Sequence, residues 1–215
     1  MIIKAALLDF DGTLVTKDIL DLLARKVGKE KESEILDAAF HRGELPGLSA
    51  LIQRINFLKG MTKGEVFEVL QPESYLMPGV MELMAFFKTH SIITILASGN
   101  ILPVLEFYQK LLGTDYIIGS SPQMDGDTII GIDESAFSSK SFKLDGIHRI
   151  LSENGIAPDA VVALGDSPSD KGMFDLSAYA IAVNPKGDIA ESADAVIGED
   201  LNQAVALFEK LIDTN

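Results

Sequence analysis

Two aspartates separated by one residue are the first groups in the chain that could do chemistry. Asp9 and Asp11 belong to the motif DFDGT (Asp9–Thr13), which directly follows the apolar run Ile2–Leu8. Residues two apart on an extended chain point to the same side, so we expect both carboxylates to face one site. Like charges held this close favour a cation between them or a proton on one of them. The alternative is that Asp11 and Gly12 only form the turn that ends a strand.

A Ser-Gly-Asn sequence at residues 98–100 follows a second apolar run, Ile92–Ala97. Ser98 and Asn100 are good helix N-caps, and capping alone would explain them. A helix N-terminus with a glycine and a free hydroxyl is also an anion site, because its N–H groups point at the ligand. Both interpretations stay open from the residues alone.

Two more carboxylates, Asp166 and Asp170, follow a third apolar run, Val161–Leu164. A turn with an N-cap would explain them singly. Ligands in open α/β sheets bind at the carboxyl ends of the strands, and there Asp9 and Asp11 would lie beside Asp166 and Asp170. A hard divalent cation with oxygen ligands would neutralise four such acids, and Mg²⁺ suits the site best.

The apolar runs that carry these residues predict a parallel sheet. They are short and rich in Ile and Val, as expected for strands buried on both faces. Helix-period segments lie between them, so we predict an α/β, doubly wound fold with a mainly parallel sheet. The predicted strands are Ile2–Leu8, Ile92–Ala97, Val161–Leu164, Ala180–Val183 and, more weakly, Ala195–Ile197.

Residues 16–76 interrupt the alternation, because they contain helical periods and no strand candidate. We predict a small all-helical cap domain at 16–76 and an α/β catalytic core at 1–15 and 77–215, with hinges near Val15–Lys17 and Tyr75–Pro78. A second irregularity is Tyr116–Asp133, where two β-like runs flank the hairpin-turn dipeptide Asp125-Gly126.

Composition limits the class of protein. The 215 residues are 47% hydrophobic and 23% charged, which describes a globular unit with a core and room for a smaller second domain. The net charge of −14 argues against nucleic acid and anionic membranes as partners. The absence of cysteine excludes disulfides and thiolate chemistry. No apolar run approaches the roughly 20 residues of a membrane span, and the N-terminus shows no signal pattern. We therefore expect a cytoplasmic monomer or homodimer.

Taken together, the motifs resemble those of the haloacid dehalogenase superfamily, the Asp-nucleophile phosphohydrolases. Asp9–Thr13 is similar to the first motif, Ser98 to the second, Lys143 to the third, and Gly165-Asp166 with Asp170 to the fourth. The resemblance covers nearly the whole chain, and the four motifs in this order are far more specific than any one alone. The helical insertion after the first motif, and Lys143 standing 23 residues before Asp166, are similar to the phosphoserine phosphatase-like subclass. Lys140 is a reserve candidate for the third motif.

The resemblance implies a reaction and a set of roles. Asp9 would attack phosphorus and form an aspartyl-phosphate, and Asp11 would donate a proton to the leaving oxygen and then activate water. Asp11 would also contribute its backbone carbonyl to the metal. The implied Mg²⁺-binding residues are Asp9, Asp11, Asp166 and Asp170, and the implied phosphate-binding residues are Ser98, Gly99 and Lys143.

The substrate positions implied by the subclass are partly altered here. An acidic residue that binds the substrate amine matches Asp18, and a cap arginine that binds the substrate carboxylate matches Arg54. The alternative for both residues is a structural role, in which Arg54 only packs the cap. Asn100 stands where a glycine usually does and is a further candidate substrate-binding residue. Other departures from the subclass are Gly12 for Ser, His41 for Met, Gly47 for an aromatic residue and Ser169 for Asn.

The function that the sequence predicts is a Mg²⁺-dependent phosphatase of a small phosphorylated metabolite, with phosphoserine or a related phosphorylated acid as the expected substrate. Two alternatives remain. A phosphotransferase or mutase would use the same nucleophile, and a non-enzymatic receiver module would be phosphorylated on Asp9.

Overall fold

The computed structural model describes residues 1–70, 75–132 and 142–213. Its strands are β1 Ala5–Leu8, β2 Ile93–Ile101, β3 Tyr116–Ser120, β4 Pro122–Asp125, β5 Thr128–Ile132, β6 Val161–Gly165, β7 Tyr179–Val183 and β8 Ala195–Ile197. Its helices are α1 Ile19–Lys26, α2 Glu30–His41, α3 Gly47–Asn56, α4 Lys63–Leu70, α5 Val80–Thr89, α6 Leu102–Leu112, α7 Phe142–Glu153, α8 Lys171–Asp175 and α9 Asn202–Asp213.

The main sheet confirms the predicted doubly wound fold. Within the described residues it has six parallel strands in the order β3-β2-β1-β6-β7-β8. Alternate residues of β1 enter two apolar clusters on opposite faces, Ala6 and Leu8 in one and Ala5 and Leu7 in the other. Because β1 lies between β2 and β6, the carboxyl ends of these three strands are adjacent, and the predicted site residues follow them.

The region after α6 differs in part from its prediction. The first β-like run, Tyr116–Ser120, pairs in parallel with β2 and forms an edge of the main sheet. The predicted hairpin at Asp125-Gly126 is confirmed, since β4 and β5 pair antiparallel across this turn with Asp125 opposite Thr128. Gly126 has a φ of 57°, the left-handed conformation that favours glycine in such turns.

The described part of the segment between β1 and α5 contains the helices α1 to α4, joined by turns, and no strand. The chain enters and leaves it side by side, because Thr16 N donates to Tyr75 O at 2.7 Å and Met77 N donates to Leu14 O at 2.9 Å. None of the helices in the described ranges is long and apolar enough to cross a membrane.

The β4–β5 hairpin bonds to this helical segment through the backbone. Gly60 N donates to Ile129 O and Ile129 N donates to Met61 O, both at 2.8 Å, and Lys63 N donates to Asp127 O at 2.9 Å. The hairpin therefore joins the loop between α3 and α4 rather than the main sheet.

Candidate active site

The two aspartates of the first motif line one cavity at the carboxyl end of β1. Asp9 is 7% exposed, and the intervening Phe10 is fully buried with its ring edge-on to Tyr108 at 4.8 Å between ring centroids. The buried phenylalanine faces the core, so the residues on either side of it face the cavity. The structure thus brings Asp9 and Asp11 to one site, but it gives them separate partners.

Asp9 lies in a buried acidic cluster. One carboxylate oxygen each from Asp9, Asp166 and Asp170 lie within 4.8 Å of one another. Burial, and after it the charge of Asp170, raises the pKa of Asp9 well above its ordinary value. Lys143 partly compensates, with Nζ 3.2 Å from Asp9 Oδ1 and 3.1 Å from Asp170 Oδ1. Lys140, the reserve candidate for this position, lies outside the described residues.

Two glycines make room for this cluster. Gly12 has a φ of 85°, and a Cβ on it would lie 2.1 Å from Asp166 Oδ2. A Cβ on Gly165 would lie 2.5 Å from Cβ of Asp170. Both distances are far below a van der Waals contact, so with these side-chain positions the carboxylates approach the backbone only because glycine stands there.

Asp170 is fixed by the loop after β6. Its Oδ2 accepts hydrogen bonds from the backbone N–H groups of Asp166 and Ser167, both at 3.1 Å, and the side chain is fully buried. This is a capping box on a short 3₁₀ turn, so the turn explanation considered from sequence is also correct. The same carboxylate thus shapes the loop and adds charge to the cluster.

The acidic cluster fits a magnesium ion in its donor chemistry. The three buried carboxylates converge without enough positive charge nearby to neutralise them. Their oxygens are hard ligands, and Mg²⁺ is typically held by a few carboxylates with waters completing its coordination shell. The Asp11 carboxylate is not part of this cluster.

Asp11 is held by donors from two other elements. Its oxygens accept from Ile19 N at 2.8 Å and from Asn100 Nδ2 at 3.0 Å, and Ser98 Oγ lies at 3.4 Å. Burial, and after it the charge of Asp18, raises the pKa of Asp11 to about 7. Both protonation states of Asp11 are therefore accessible near neutral pH.

The Ser-Gly-Asn sequence does not cap α6. Residues 98–100 lie inside β2, and the N-cap is Ile101, which makes no side-chain capping bond. Ala97 pairs with Ile118 while Ile101 pairs with Ser120, so β2 carries two residues more than β3 in this interval. The resulting bulge displaces Ser98–Asn100 from the ladder and places them on the cavity wall.

The two predicted substrate residues contact each other. Arg54 Nη2 donates to Asp18 Oδ1 at 2.6 Å and to Asp21 Oδ1 at 3.0 Å, and Nη1 donates to Asp37 Oδ1 at 3.2 Å. Asp18 is also the N-cap of α1, accepting from Asp21 N. With 7% of its surface exposed, Arg54 is a buried cation among three partly exposed carboxylates.

We expect Arg54→Ala to lower the free energy of unfolding by about 3 kcal/mol, because it leaves three neighbouring carboxylates without their cation. Urea denaturation followed by circular dichroism measures this, since the chain has no tryptophan to report on folding. The control is Arg149→Ala, an exposed arginine on α7, which should change the value by about 0.5 kcal/mol at most. Equal losses in the two variants would show that the Arg54 ion pairs contribute nothing.

Sequence reasoning missed Lys186. It follows β7, and its Nζ lies 2.7 Å from Asp166 Oδ2 while its backbone N donates to Asp166 O at 2.7 Å. Asn184, with a φ of 39°, turns the chain after β7. The signal is local, because Lys186 stands three residues beyond the end of β7, just as Asp166 and Asp170 stand shortly beyond the run Val161–Leu164.

A cavity of about 640 Å³ joins these groups. The carboxyl edge of the sheet forms one wall, and α1, α2 and α3 form the other through Asp18, Asp37, His41 and Leu51. Phe40 also lines it, and its ring lies where a Cβ on Gly47 would be, at 2.8 Å. An aromatic ring thus stands beside position 47 even though the residue at 47 is glycine.

A comparison with models of protein families identifies the family of this chain. The model of the haloacid dehalogenase-like hydrolases matches residues 6–175. The chain belongs to this family. The expected family membership is therefore confirmed, and the matched span includes the four motif regions but ends before Lys186.

Two proteins that are similar to this chain are named phosphoserine phosphatase. The chain is 30% identical over 203 residues to phosphoserine phosphatase from Archaeoglobus fulgidus, covering 94% of this chain and 59% of that protein. It is 28% identical over 207 residues to phosphoserine phosphatase from Campylobacter jejuni subsp. doylei, covering 96% of this chain and 100% of that protein. The chain therefore spans less than two thirds of the archaeal protein and the whole of the bacterial one.

Solved structures of this hydrolase family share the fold. A substrate-bound phosphoserine phosphatase complex superposes with a TM-score of 0.86 at 24% identity, covering 96% of this chain and 99% of that one. A phospho-aspartyl intermediate analogue of phosphoserine phosphatase gives a TM-score of 0.82 at 24% identity, with coverage of 96% and 99%.

Proposed function

We propose that this hydrolase is a Mg²⁺-dependent phosphatase that cleaves a small phosphomonoester through an aspartyl-phosphate on Asp9. The observation that carries the proposal is the placement of Asp9 in the acidic cluster with Asp166 and Asp170, while Asp11 faces the same cavity with partners of its own. The phosphoserine phosphatase relatives support the reaction type.

In the first half-reaction, a carboxylate oxygen of Asp9 attacks phosphorus as the bond from phosphorus to the ester oxygen breaks. The leaving alkoxide takes a proton from Asp11, which Asn100 and the backbone of Ile19 hold in place. The products of this step are a free alcohol and an acyl phosphate on Asp9.

In the second half-reaction, Asp11 accepts a proton from water as the water oxygen attacks phosphorus. The bond from phosphorus to the Asp9 carboxylate breaks, which releases inorganic phosphate and regenerates both aspartates. The same group serves as acid and then as base, so no other proton donor is needed.

The phosphoryl group would be held by Ser98, the Gly99 N–H and Lys143. The β2 bulge brings the first two to the cavity, and Lys143 stays charged because Asp170 and Asp9 raise its pKa against the effect of burial. These donors would stabilise the charge spread over the phosphoryl oxygens in the transition state.

The residues that would hold Mg²⁺ are Asp9, Asp166 and the backbone carbonyl of Asp11, with Asp170 supporting them. When bound, the ion supplies Lewis-acid neutralisation of phosphoryl charge. Lys186, which contacts Asp166, adds a further positive charge at this edge of the cavity.

Residues 16–76 would act as a cap over the core formed by 1–15 and 77–215. The adjacent backbone bonds at Thr16 and Met77 support hinges at the two crossings. A closed cap would exclude bulk water from the site while Asp9 attacks phosphorus. A cytoplasmic location and a monomeric or homodimeric state remain predictions from the sequence.

We expect inorganic phosphate to be released from at least one small phosphomonoester, and only when Mg²⁺ is present. A colorimetric phosphate assay over phosphorylated acids, amines, sugars and p-nitrophenyl phosphate measures this, with and without the metal. Phosphoserine is included because the relatives are named for it. No release from any of these compounds with Mg²⁺ present would contradict the proposed function.

A further inference from the structure

The guanidinium of Arg54 has little capacity left for a substrate. It has five N–H donors, of which Nε donates to Ser33 Oγ at 2.9 Å and three others donate to Asp18, Asp21 and Asp37. One N–H, on Nη1, is left over. A carboxylate that binds arginine with two parallel hydrogen bonds needs two, so one of the aspartates would have to leave first.

Asp37 holds the guanidinium nitrogen of Arg54 that carries the remaining N–H, and both residues line the cavity. It lines the cavity with 30% of its side chain exposed, and both its oxygens are engaged, Oδ1 by Arg54 at 3.2 Å and Oδ2 by His41 Nε2 at 3.3 Å. Burial acts to raise the pKa of Asp37, but the hydrogen bond from His41 and the charge of Arg54 outweigh it and lower the pKa. Asp37 is thus a charged group on the same nitrogen, Nη1, whose one remaining N–H would have to serve a substrate carboxylate.

Carboxylates outnumber the cation in the immediate surroundings of Arg54. Asp18, Asp21 and Asp37 place three carboxylates around the single guanidinium of Arg54, and protonation of His41 would still leave an excess of negative charge. Lys186 and Lys17 also line the cavity: Lys186 is 2.7 Å from Asp166 and so is paired at the sheet edge, and Lys17 is exposed to solvent. A substrate carboxylate would meet like charge here, whereas an ammonium group would meet partly exposed carboxylate oxygens.

We propose that Asp37 occupies Arg54 and so selects, among small phosphomonoesters, those whose far end carries an amine and no carboxylate. This inference rests on the proposed phosphatase function and specifies its substrate class. It departs from the sequence-based expectation of a phosphorylated acid, because the sequence did not show that Arg54 has three acidic partners. Asp37 acts here as a positioning residue, through its contact with Arg54.

The test compares kcat/KM for O-phosphoethanolamine, O-phosphoserine and phosphoglycolate, with p-nitrophenyl phosphate as a compound that has neither amine nor carboxylate. The first two compounds differ only in the carboxylate. We expect the wild-type enzyme to prefer O-phosphoethanolamine to O-phosphoserine by at least about tenfold, with phosphoglycolate the poorest of the three, since like charges brought together are costly.

The decisive variant is Asp37→Asn, which keeps the size of the side chain and removes its charge. We expect it to lower the preference for O-phosphoethanolamine over O-phosphoserine by about tenfold, mainly through KM for O-phosphoserine. Glu34→Gln removes the same charge from an exposed position on the same helix and should leave the preference unchanged. If Asp37→Asn does not fold, Asp37→Ala is tested in its place. The substrate preference of the wild-type enzyme tests the inference in either case, because it requires no variant.

The outcomes separate the inference from the function on which it rests. Hydrolysis of p-nitrophenyl phosphate with a wild-type preference for O-phosphoserine would overturn the inference and leave the phosphatase intact. So would an unchanged preference in a folded Asp37 variant. Absence of hydrolysis for all four compounds would contradict the phosphatase function itself.

Discussion

Asp9→Asn should lower phosphate release by several orders of magnitude and leave the fold intact. The amide keeps the shape of the side chain but lacks the carboxylate that attacks phosphorus. Uncatalysed hydrolysis of phosphate monoesters is among the slowest known reactions, with enzymatic accelerations of up to about 10²¹-fold, so no neighbouring group can replace the nucleophile. The substitution also removes one charge from the acidic cluster, where burial and Asp170 already disfavour it, so stability should not fall.

Steady-state turnover of the best substrate, together with a thermal unfolding curve, measures both parts of this expectation. Asp175→Asn is the matched control, because Asp175 is an exposed aspartate on α8 that pairs only with Lys171 in the described contacts. It should retain wild-type turnover. If Asp9→Asn kept even about a tenth of the wild-type rate, the covalent mechanism would be wrong.

Metal removal should have a comparably large effect. EDTA is expected to abolish activity, and added Mg²⁺ to restore it, because the cluster of Asp9, Asp166 and Asp170 would otherwise face an anionic substrate with too little positive charge. Ca²⁺ should bind but fail to restore turnover, since its larger and looser coordination does not hold the reacting groups in line.

A binding measurement separates metal affinity from catalysis. Mg²⁺ should raise the unfolding temperature of the wild-type protein, by an amount equivalent to about 2.7 kcal/mol at 100 times the dissociation constant. Asp166→Ala should weaken this shift, while Asp159→Ala, at an exposed position before the other end of β6, should not. Full activity in EDTA, or an identical shift in both variants, would contradict a metal site at Asp166.

The residues at the strand ends could be predicted because their signal is local. Asp9, Asp11, Ser98 and Asp166 each follow a short apolar run, and the order of those runs brings their ends to one edge of a parallel sheet. The fold class follows from the same runs. No long-range information was needed for either prediction.

Features that depend on which elements touch could not be predicted in the same way. Tyr116–Ser120 has the composition of a strand, but nothing in it specifies pairing with β2 rather than with the following run. The partners of Arg54 come from two helices at sequence separations of 17 to 36 residues, so their meeting depends on how α1, α2 and α3 pack. Spacing along one helix does not encode that packing.

The backbone bonds between the β4–β5 hairpin and residues 60–63 bear on the design of chimeras with related proteins. A chimera cut at the ends of the helical insertion would separate Gly60, Met61 and Lys63 from their partners at Asp127 and Ile129. Each lost bond leaves a backbone donor or acceptor to be satisfied by water or by a foreign loop. The transferable unit is therefore discontinuous in sequence: the helical segment of a donor has to be moved together with its hairpin, although the 45 residues 77–121 separate the two.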